Sequence, residues 1–180
     1  MFCFIRYEKL LALCILLCLV SSCSSVETAT KTRDPVQTRS QTSTDYQGIL
    51  NNWKAEHAKN PKDQEIIKNY ARAVEDMKTA ADKAYERDHY ASSGRIYATL
   101  LKNYSGFKRF AKWLSFDRQE LQDRLSICKT ALYQKGFEQY RNNHLNEAIL
   151  HWQGLLSIDP HNEDIRKTVN TAVLQRKNLH

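Results

Sequence analysis

The fold of this chain is decided by the stretch from Ala131 to Asn162, which reads ALYQKGFEQYRNNHLNEAILHWQGLLSIDPHN. Its apolar residues fall in two runs with helical spacing, and the polar break at 142–144 separates them. A break this short makes the two helices antiparallel neighbours. Pro160 ends the second helix, because proline biases the preceding residue away from helical geometry. The stretch therefore predicts a helical hairpin with one apolar face that other helices must cover.

The rest of the chain also favours an all-α fold. Only 5 of the 180 residues are Gly and 3 are Pro, so long windows lack residues that interrupt helices. No segment shows a convincing period-2 strand pattern. Helical periodicity and capping residues predict further helices at 45–59, 62–87, 90–103, 117–141 and 163–179, with a short helix at 107–116. Residues 45–180 are thus expected to form one helical domain.

An export signal occupies the N-terminus. Arg6 and Lys9 precede an apolar run, Leu10 to Val20, which ends in Ser21-Ser22-Cys23. A basic region, a short apolar region and small residues are typical of a secretory signal peptide, here residues 1–22. The run is too short for a comfortable transmembrane span, which needs about 20 apolar residues.

The segment Leu19 to Cys23 resembles the lipobox of bacterial lipoproteins. The resemblance implies that residues 1–22 are cleaved and that Cys23 carries a diacylglycerol and an N-acyl chain such as palmitate. Multiple acyl chains suit stable anchoring, since one chain binds a membrane only marginally. Position 24 is Ser and not the Asp that would direct retention. This pattern resembles that of lipoproteins sorted to the outer membrane of Gram-negative bacteria, where they face the periplasm. An ordinary secretory signal, or an uncleaved anchor with an incidental cysteine, is the alternative.

Residues 23–44 form a Ser- and Thr-rich segment with almost nothing apolar to bury. Such a segment cannot offset its ordering entropy, so it is expected to be a flexible tether spanning about 25 Å as a coil.

Four residues of the opening stretch, Gly136, Ala148, Trp152 and Pro160, resemble the small, small, aromatic and proline positions of a tetratricopeptide repeat (TPR) at about 129–162. Leu132, Lys135 and Tyr140 depart from that pattern. The resemblance implies a short TPR-like α-solenoid of antiparallel helix pairs. Its terminal capping helix is expected at 163–179.

A weaker copy lies at about 74–106. Ala81, Ser93 and Tyr97 fit the same frame, in which Ala81 corresponds to Gly136. The step between these two positions exceeds the repeat length of about 34 residues, so an insertion of about 21 residues is expected between the copies. The aromatic segment Phe107 to Phe116 lies in that insertion, and it either fills the gap between the copies or forms an exposed interface for a partner or a lipid.

Catalytic patterns are scarce. The six histidines form no i,i+4 pair and no HExxH element, and no glycine-rich phosphate loop or GxSxG element occurs. The other cysteines all lie at or before Cys23, which leaves Cys128 alone in the body. We therefore expect no enzymatic activity, no metal site, no small-molecule substrate and no cofactor beyond the lipid on Cys23.

The TPR resemblance implies a groove lined by the first helix of each pair. The residues carried over are Lys78, Asp82 and Tyr85 from the weaker copy and Tyr133, Phe137, Tyr140 and Arg141 from the stronger. Aromatic and Arg side chains suit peptide anchoring. The alternative is that Tyr85, Phe137 and Tyr140 are core residues.

These patterns together predict a membrane-anchored scaffold or adaptor that binds an envelope protein or peptide. The formal charge of +7 leaves a second hypothesis open, namely binding of an anionic envelope polymer or lipid headgroup through the basic surface, although dispersed charge is more often a solvated face. Polymer binding would weaken steeply with salt. Nucleic acid is disfavoured as a partner because the signal exports the protein.

Overall fold

A computed structural model describes residues 44–179 of the chain. The predicted signal peptide, Cys23 and the tether up to residue 43 lie outside the described residues. Within the described range there are no strands, and a 3₁₀ segment (Tyr104–Trp113) lies between the third and fourth of six helices. The helices are α1 (Tyr46–Lys59), α2 (Gln64–Glu86), α3 (Tyr90–Asn103), α4 (Arg118–Arg141), α5 (Leu145–Ile158) and α6 (Glu163–Asn178). The prediction of an all-α fold is confirmed.

Four helices begin where a short polar side chain caps free backbone N–H groups. Asp45 caps α1, Asp63 caps α2, Asp117 caps α4 and Asn162 caps α6, each accepting a bond from a backbone N–H two or three residues later. The distances lie between 2.8 and 3.2 Å. Local sequence therefore fixes these helix starts.

Consecutive helices pack side by side. The helices α2, α4 and α5 all contact α3, and α6 packs on α5. The short turns after α2 and α4 make two antiparallel hairpins, α2–α3 and α4–α5, with α3 at the centre of the body.

The two hairpins share one turn geometry. Asp88 and Asn143 both adopt the left-handed conformation, with φ of 58° and 60°. In each turn the N–H of the following histidine donates to the carbonyl five residues earlier, at 2.9 Å, which is the bond that closes a Schellman motif. The step from Asp88 to Asn143 along the chain equals the step from Ala81 to Gly136.

Buried positions follow the same spacing. The matched pairs are Ala81 and Gly136, Ser93 and Ala148, and Tyr97 and Trp152, all of them buried. The long helices α2 and α4 have 23 and 24 residues, and α3 and α5 have 14 each. The residues between the predicted copies form most of the 3₁₀ segment, a short link and the first turns of α4.

The aromatic segment Phe107 to Phe116 contributes mainly to the core. Phe107, Phe110 and Phe116 are buried, and Tyr70 of α2 packs on the first two with ring centroids 6.1 and 4.9 Å away. The spacing of three residues between Phe107 and Phe110 matches the 3₁₀ period, which keeps both on one side. The 3₁₀ segment packs on α2 and α3, so Phe107 and Phe110 are core residues beside the first hairpin.

Gly94 allows α3 to lie close to its neighbours. A Cβ at this position would come within 3.3 Å of the Cys128 Cβ and would collide with the end of the Ile158 side chain. A larger side chain would prevent this close packing, which explains a glycine here despite its cost of up to about 1 kcal/mol inside a helix.

Candidate functional site

A row of aromatic rings connects the core of the α4–α5 hairpin to its surface. Trp152 is fully buried, and the rings of Phe137 and Tyr140 lie 5.0 and 5.7 Å from it. Tyr133 packs on Phe137 at 4.7 Å and is 48% exposed. The inner rings hold Tyr133 in place from one side, so its outer side is presented to solvent as a supported aromatic surface.

Tyr133 lines an open cleft of ≈ 380 Å³ between α4, the end of α5 and the start of α6. The other lining residues are Lys129, Thr130, Gln134, Leu155 and Asn162. This set, with Tyr133, is called the α4 cleft below.

The lining is mostly neutral. The ammonium of Lys129 lies 2.6 Å from Asp159 Oδ2, so its charge is balanced at the rim. The Asn162 side chain caps α6 by accepting from the N–H of Ile165 at 3.1 Å. Hydroxyl and amide groups therefore stand beside one apolar and one aromatic side chain, the mixture found in sites that bind peptides or small molecules.

The residues predicted from the stronger copy divide among three environments. Tyr133 lies in the α4 cleft, and Phe137 is half-buried against Trp152. Tyr140 is half-buried, and its hydroxyl donates to Gln175 of α6 at 2.8 Å. Arg141 is exposed at the last turn of α4. The structure thus brings Tyr133 and Phe137 together and directs Tyr140 towards α6.

The residues predicted from the weaker copy make contacts within the body. Lys78 pairs with Asp82 at 2.9 Å and with Glu120 at 3.0 Å, and Asp82 accepts from the Tyr97 hydroxyl at 2.5 Å. Burial raises the pKa of Tyr97, and its hydrogen bond to Asp82 raises that pKa further. Burial alone would lower the pKa of Lys78, but its bonds to the two carboxylates raise it above the usual value.

Tyr85 takes part in the same interface. Its ring lies 5.6 Å from that of Tyr90 and 5.0 Å from the guanidinium carbon of Arg124. Lys78, Asp82 and Tyr85 therefore join α2 to α3 and to the first half of α4.

The repeat-defining residues of the second hairpin have structural roles. A Cβ on Gly136 would come within 2.7 Å of Cε2 of the Trp152 indole, so only glycine fits there. Ala148 is fully buried, and Pro160 is exposed just after α5. The buried indole N–H of Trp152 has no hydrogen-bond partner among the described residues.

Sequence reasoning missed Lys129, Thr130, Gln134, Leu155 and Asn162. A signal for part of this set was present, since Thr130, Tyr133 and Gln134 have the i, i+3, i+4 spacing of one helix face. No comparable signal connects that face to Leu155 or Asn162, because only the packing of α5 and α6 on α4 places them beside it.

Cys128 lies in the core, where its Sγ is 3.7 Å from Ser93 Oγ. Burial raises the pKa of its thiol, which disfavours the reactive thiolate. Within residues 44–179, no group of three or more potential metal ligands comes together, and no helix combines the length and apolar character that crossing a bilayer requires.

No protein-family model, curated protein or solved structure matches this chain.

Proposed function

We propose that the protein is a non-enzymatic scaffold or adaptor of the bacterial cell envelope, which binds a peptide segment of a partner protein in the α4 cleft. The observation that carries this proposal is the exposed Tyr133 ring, held by Phe137 over a cleft with a largely neutral lining. Its volume, ≈ 380 Å³, lies near the lower end of the ~300–1,000 Å³ range of ligand pockets.

The body is, in this proposal, a short TPR-like solenoid. Two hairpins with the same turn geometry and matched buried positions support that interpretation, as does α6, which covers the end of the second hairpin. Arrays of this type need such a terminal helix, because the last hairpin would otherwise expose its apolar side. The second hairpin contains the cleft, and the first supports it through α3 and α4.

The cleft chemistry defines the ligand class. An apolar or aromatic side chain of the partner would pack on Tyr133, while its backbone would bond to Thr130, Gln134 or Asn162. Tyr is among the residues that dominate binding energy when an interface covers them. Loss of its ring should therefore weaken binding by at least 10-fold.

Photocrosslinking in intact cell envelopes tests this function. A photoreactive aromatic amino acid replaces Tyr133 in one variant and the exposed Lys167 of α6 in a control variant. We expect a discrete protein adduct from position 133 and none of the same mass from position 167. Absence of an adduct at 133, or the same adducts from both positions, would overturn the proposal.

A second comparison measures the contribution of the cleft itself. Once the crosslinked segment is mapped, a peptide of that sequence should bind at least 10-fold more weakly to Tyr133→Ala than to Lys167→Ala. Circular dichroism should show equal helix content in both variants. Equal peptide affinities of the two variants would show that Tyr133 is not part of the binding site.

Membrane anchoring through Cys23 is part of the same proposal and has a separate test. A clickable palmitate analogue fed to cells should label the wild-type protein and Cys18→Ala, because the lipobox resemblance assigns acylation to Cys23 alone. Cys23→Ala should lose the label. Labelling of Cys23→Ala at the wild-type level would show that the lipobox interpretation is wrong.

A further inference from the structure

The end of α3 and the 3₁₀ segment carry a concentration of positive charge. Four basic side chains occur within residues 102–113, and no Asp or Glu occurs from residue 102 to residue 116. All four are exposed: Lys102, Lys108, Arg109 and Lys112. Residues 165–180 also contain four Lys or Arg and no Asp or Glu, but they contain no Phe, Tyr or Trp, whereas the 3₁₀ segment combines its basic residues with aromatic ones.

One aromatic residue of the segment leaves the core. Tyr104, Phe107 and Phe110 follow a three-residue spacing, and the two phenylalanines are buried. At Phe110 the backbone departs from helical geometry, with φ −125° and ψ 18°. Trp113, the next residue in that spacing, is 40% exposed as a result.

Trp113 contacts one of these basic side chains. The Lys112 ammonium lies 5.0 Å from the centre of the Trp113 ring, within cation–π range. The segment thus displays an indole ring beside the Lys112 cation. Its five exposed basic and aromatic residues are called the basic aromatic surface below: Lys102, Lys108, Arg109, Lys112 and Trp113.

We propose that the basic aromatic surface docks on a lipid bilayer that contains anionic phospholipids. Indole rings prefer the boundary between headgroups and acyl chains, because one part of the ring is apolar and the N–H seeks a polar partner. Each Lys or Arg near an anionic bilayer strengthens binding about fivefold. A soluble polyanion would complement the charge but offers no apolar layer to the indole, whereas an anionic bilayer offers both. An acidic protein is the competing partner, and the test below separates it from a bilayer.

This inference is independent of the α4 cleft and of acylation at Cys23. The surface is formed by the 3₁₀ segment and the end of α3, whereas the α4 cleft is lined by residues of α4, α5 and the start of α6. It predicts that the helical body itself rests on the membrane, beyond any attachment through the N-terminus.

Quenching of Trp113 fluorescence by brominated phospholipids tests the docking in the full-length chain. The chain has three tryptophans, of which Trp152 is fully buried. A Trp53→Phe background therefore leaves Trp113 as the tryptophan open to quenching. Phosphatidylcholine vesicles with brominated acyl chains are prepared with and without phosphatidylglycerol, so attachment by the N-terminus is common to both samples.

Quenching is expected with phosphatidylglycerol and not with phosphatidylcholine alone, and Trp113→Phe should remove it. Replacing Lys108, Arg109 and Lys112 with Gln should lower the docking constant on the order of 100-fold. The control replaces Lys83, Lys167 and Lys177 with Gln, which removes the same charge from exposed sites on α2 and α6. That control should retain most of the quenching.

Three results would overturn the proposal. Quenching of equal size on both vesicle types would show that docking does not depend on attraction between the basic side chains and anionic lipids. Absence of quenching on either type would show that Trp113 does not reach the bilayer, as expected if an acidic protein were the real partner. Equal losses in the test and control triple variants would show that only net charge matters.

Discussion

Glycine at position 136 illustrates how one side-chain position sets the packing of a hairpin. Trp152 fills the space above Gly136 so closely that an added methyl group would overlap its indole ring. The matched positions in the first hairpin hold Ala81 and Tyr97. Alanine is larger than Gly136, and the tyrosine ring is smaller than the Trp152 indole. Size at one position is therefore balanced by size at the other.

Gly136→Ala should destabilise the protein by about 1–3 kcal/mol, because overpacking outweighs the gain of up to about 1 kcal/mol in helix propensity. Chemical denaturation monitored by circular dichroism measures the change. Gly106→Ala is the matched control, since a Cβ there meets nothing within 4 Å. If both variants had the same free energy of unfolding, the packing argument would fail.

At the scale of elements, helix starts and turns are built from local chemistry. Short polar caps begin four of the helices, and left-handed residues end α2 and α4. The two turn residues differ in their surroundings. Asp88 accepts a hydrogen bond from the Tyr90 hydroxyl at 2.5 Å and pairs with Lys135 at 3.7 Å. Its pKa is lowered by the Tyr90 bond and then by Lys135.

Asn143→Ala should cost about 1 kcal/mol, because alanine tolerates the left-handed conformation less well than asparagine. Asn143→Gly should be as stable as the wild type or more stable, since glycine adopts that conformation without a steric penalty. Thermal unfolding of the two variants gives the comparison. The prediction fails if alanine and glycine at position 143 give the same midpoint.

Asp88→Gly is expected to behave differently from Asn143→Gly. Glycine would relieve the same backbone cost, but the variant would also lose the carboxylate that contacts Tyr90 and Lys135. Its midpoint should therefore fall below that of Asn143→Gly. A higher midpoint would show that these exposed contacts contribute little.

For the whole molecule, a chain of polar contacts joins three helices. Tyr97 of α3 donates to Asp82 of α2, Asp82 pairs with Lys78, and Lys78 reaches Glu120 of α4. The folded state raises the pKa of Tyr97, first by burial and then by the Asp82 bond. A raised pKa means that the folded protein holds the proton more tightly than the unfolded chain does, so this stabilisation is present below the unfolded pKa and is lost as pH rises.

The free energy of unfolding should therefore fall as pH rises above about 10, the unfolded pKa of a tyrosine. Tyr97 alone contributes a slope of up to about 1.4 kcal/mol per pH unit in that range. Tyr97→Phe removes the titrating group and should give a shallower slope, although it also removes a hydrogen bond at neutral pH. Denaturation curves collected between about pH 8 and about 11.5 measure both slopes, and identical slopes would contradict the assignment.

The sequence by itself determined the helices. Their predicted limits agree with the structure to within about two residues, because caps, turns and apolar periodicity act over a few neighbouring positions. The number of residues that separates equivalent positions of the two hairpins could also be predicted from the sequence. This prediction needs only matched small and aromatic positions, such as Ala81 with Gly136 and Tyr97 with Trp152. The short helix predicted at 107–116 is instead a 3₁₀ segment at Tyr104–Trp113. The three-residue spacing of its aromatic residues was the signal in the sequence for a 3₁₀ helix.

The tertiary structure alone decided which faces remain available. Periodicity shows that Lys78 and Tyr85 lie on α2 in helical register, but not that Glu120 and Arg124 of α4 come to meet them. Likewise, the aromatic pattern did not distinguish buried Phe107 from exposed Trp113, because a bend at Phe110 separates them. The physical reason is the same in both cases: local sequence orients each side chain on its own helix, whereas burial depends on residues that are distant in sequence and are positioned by the packing of other helices.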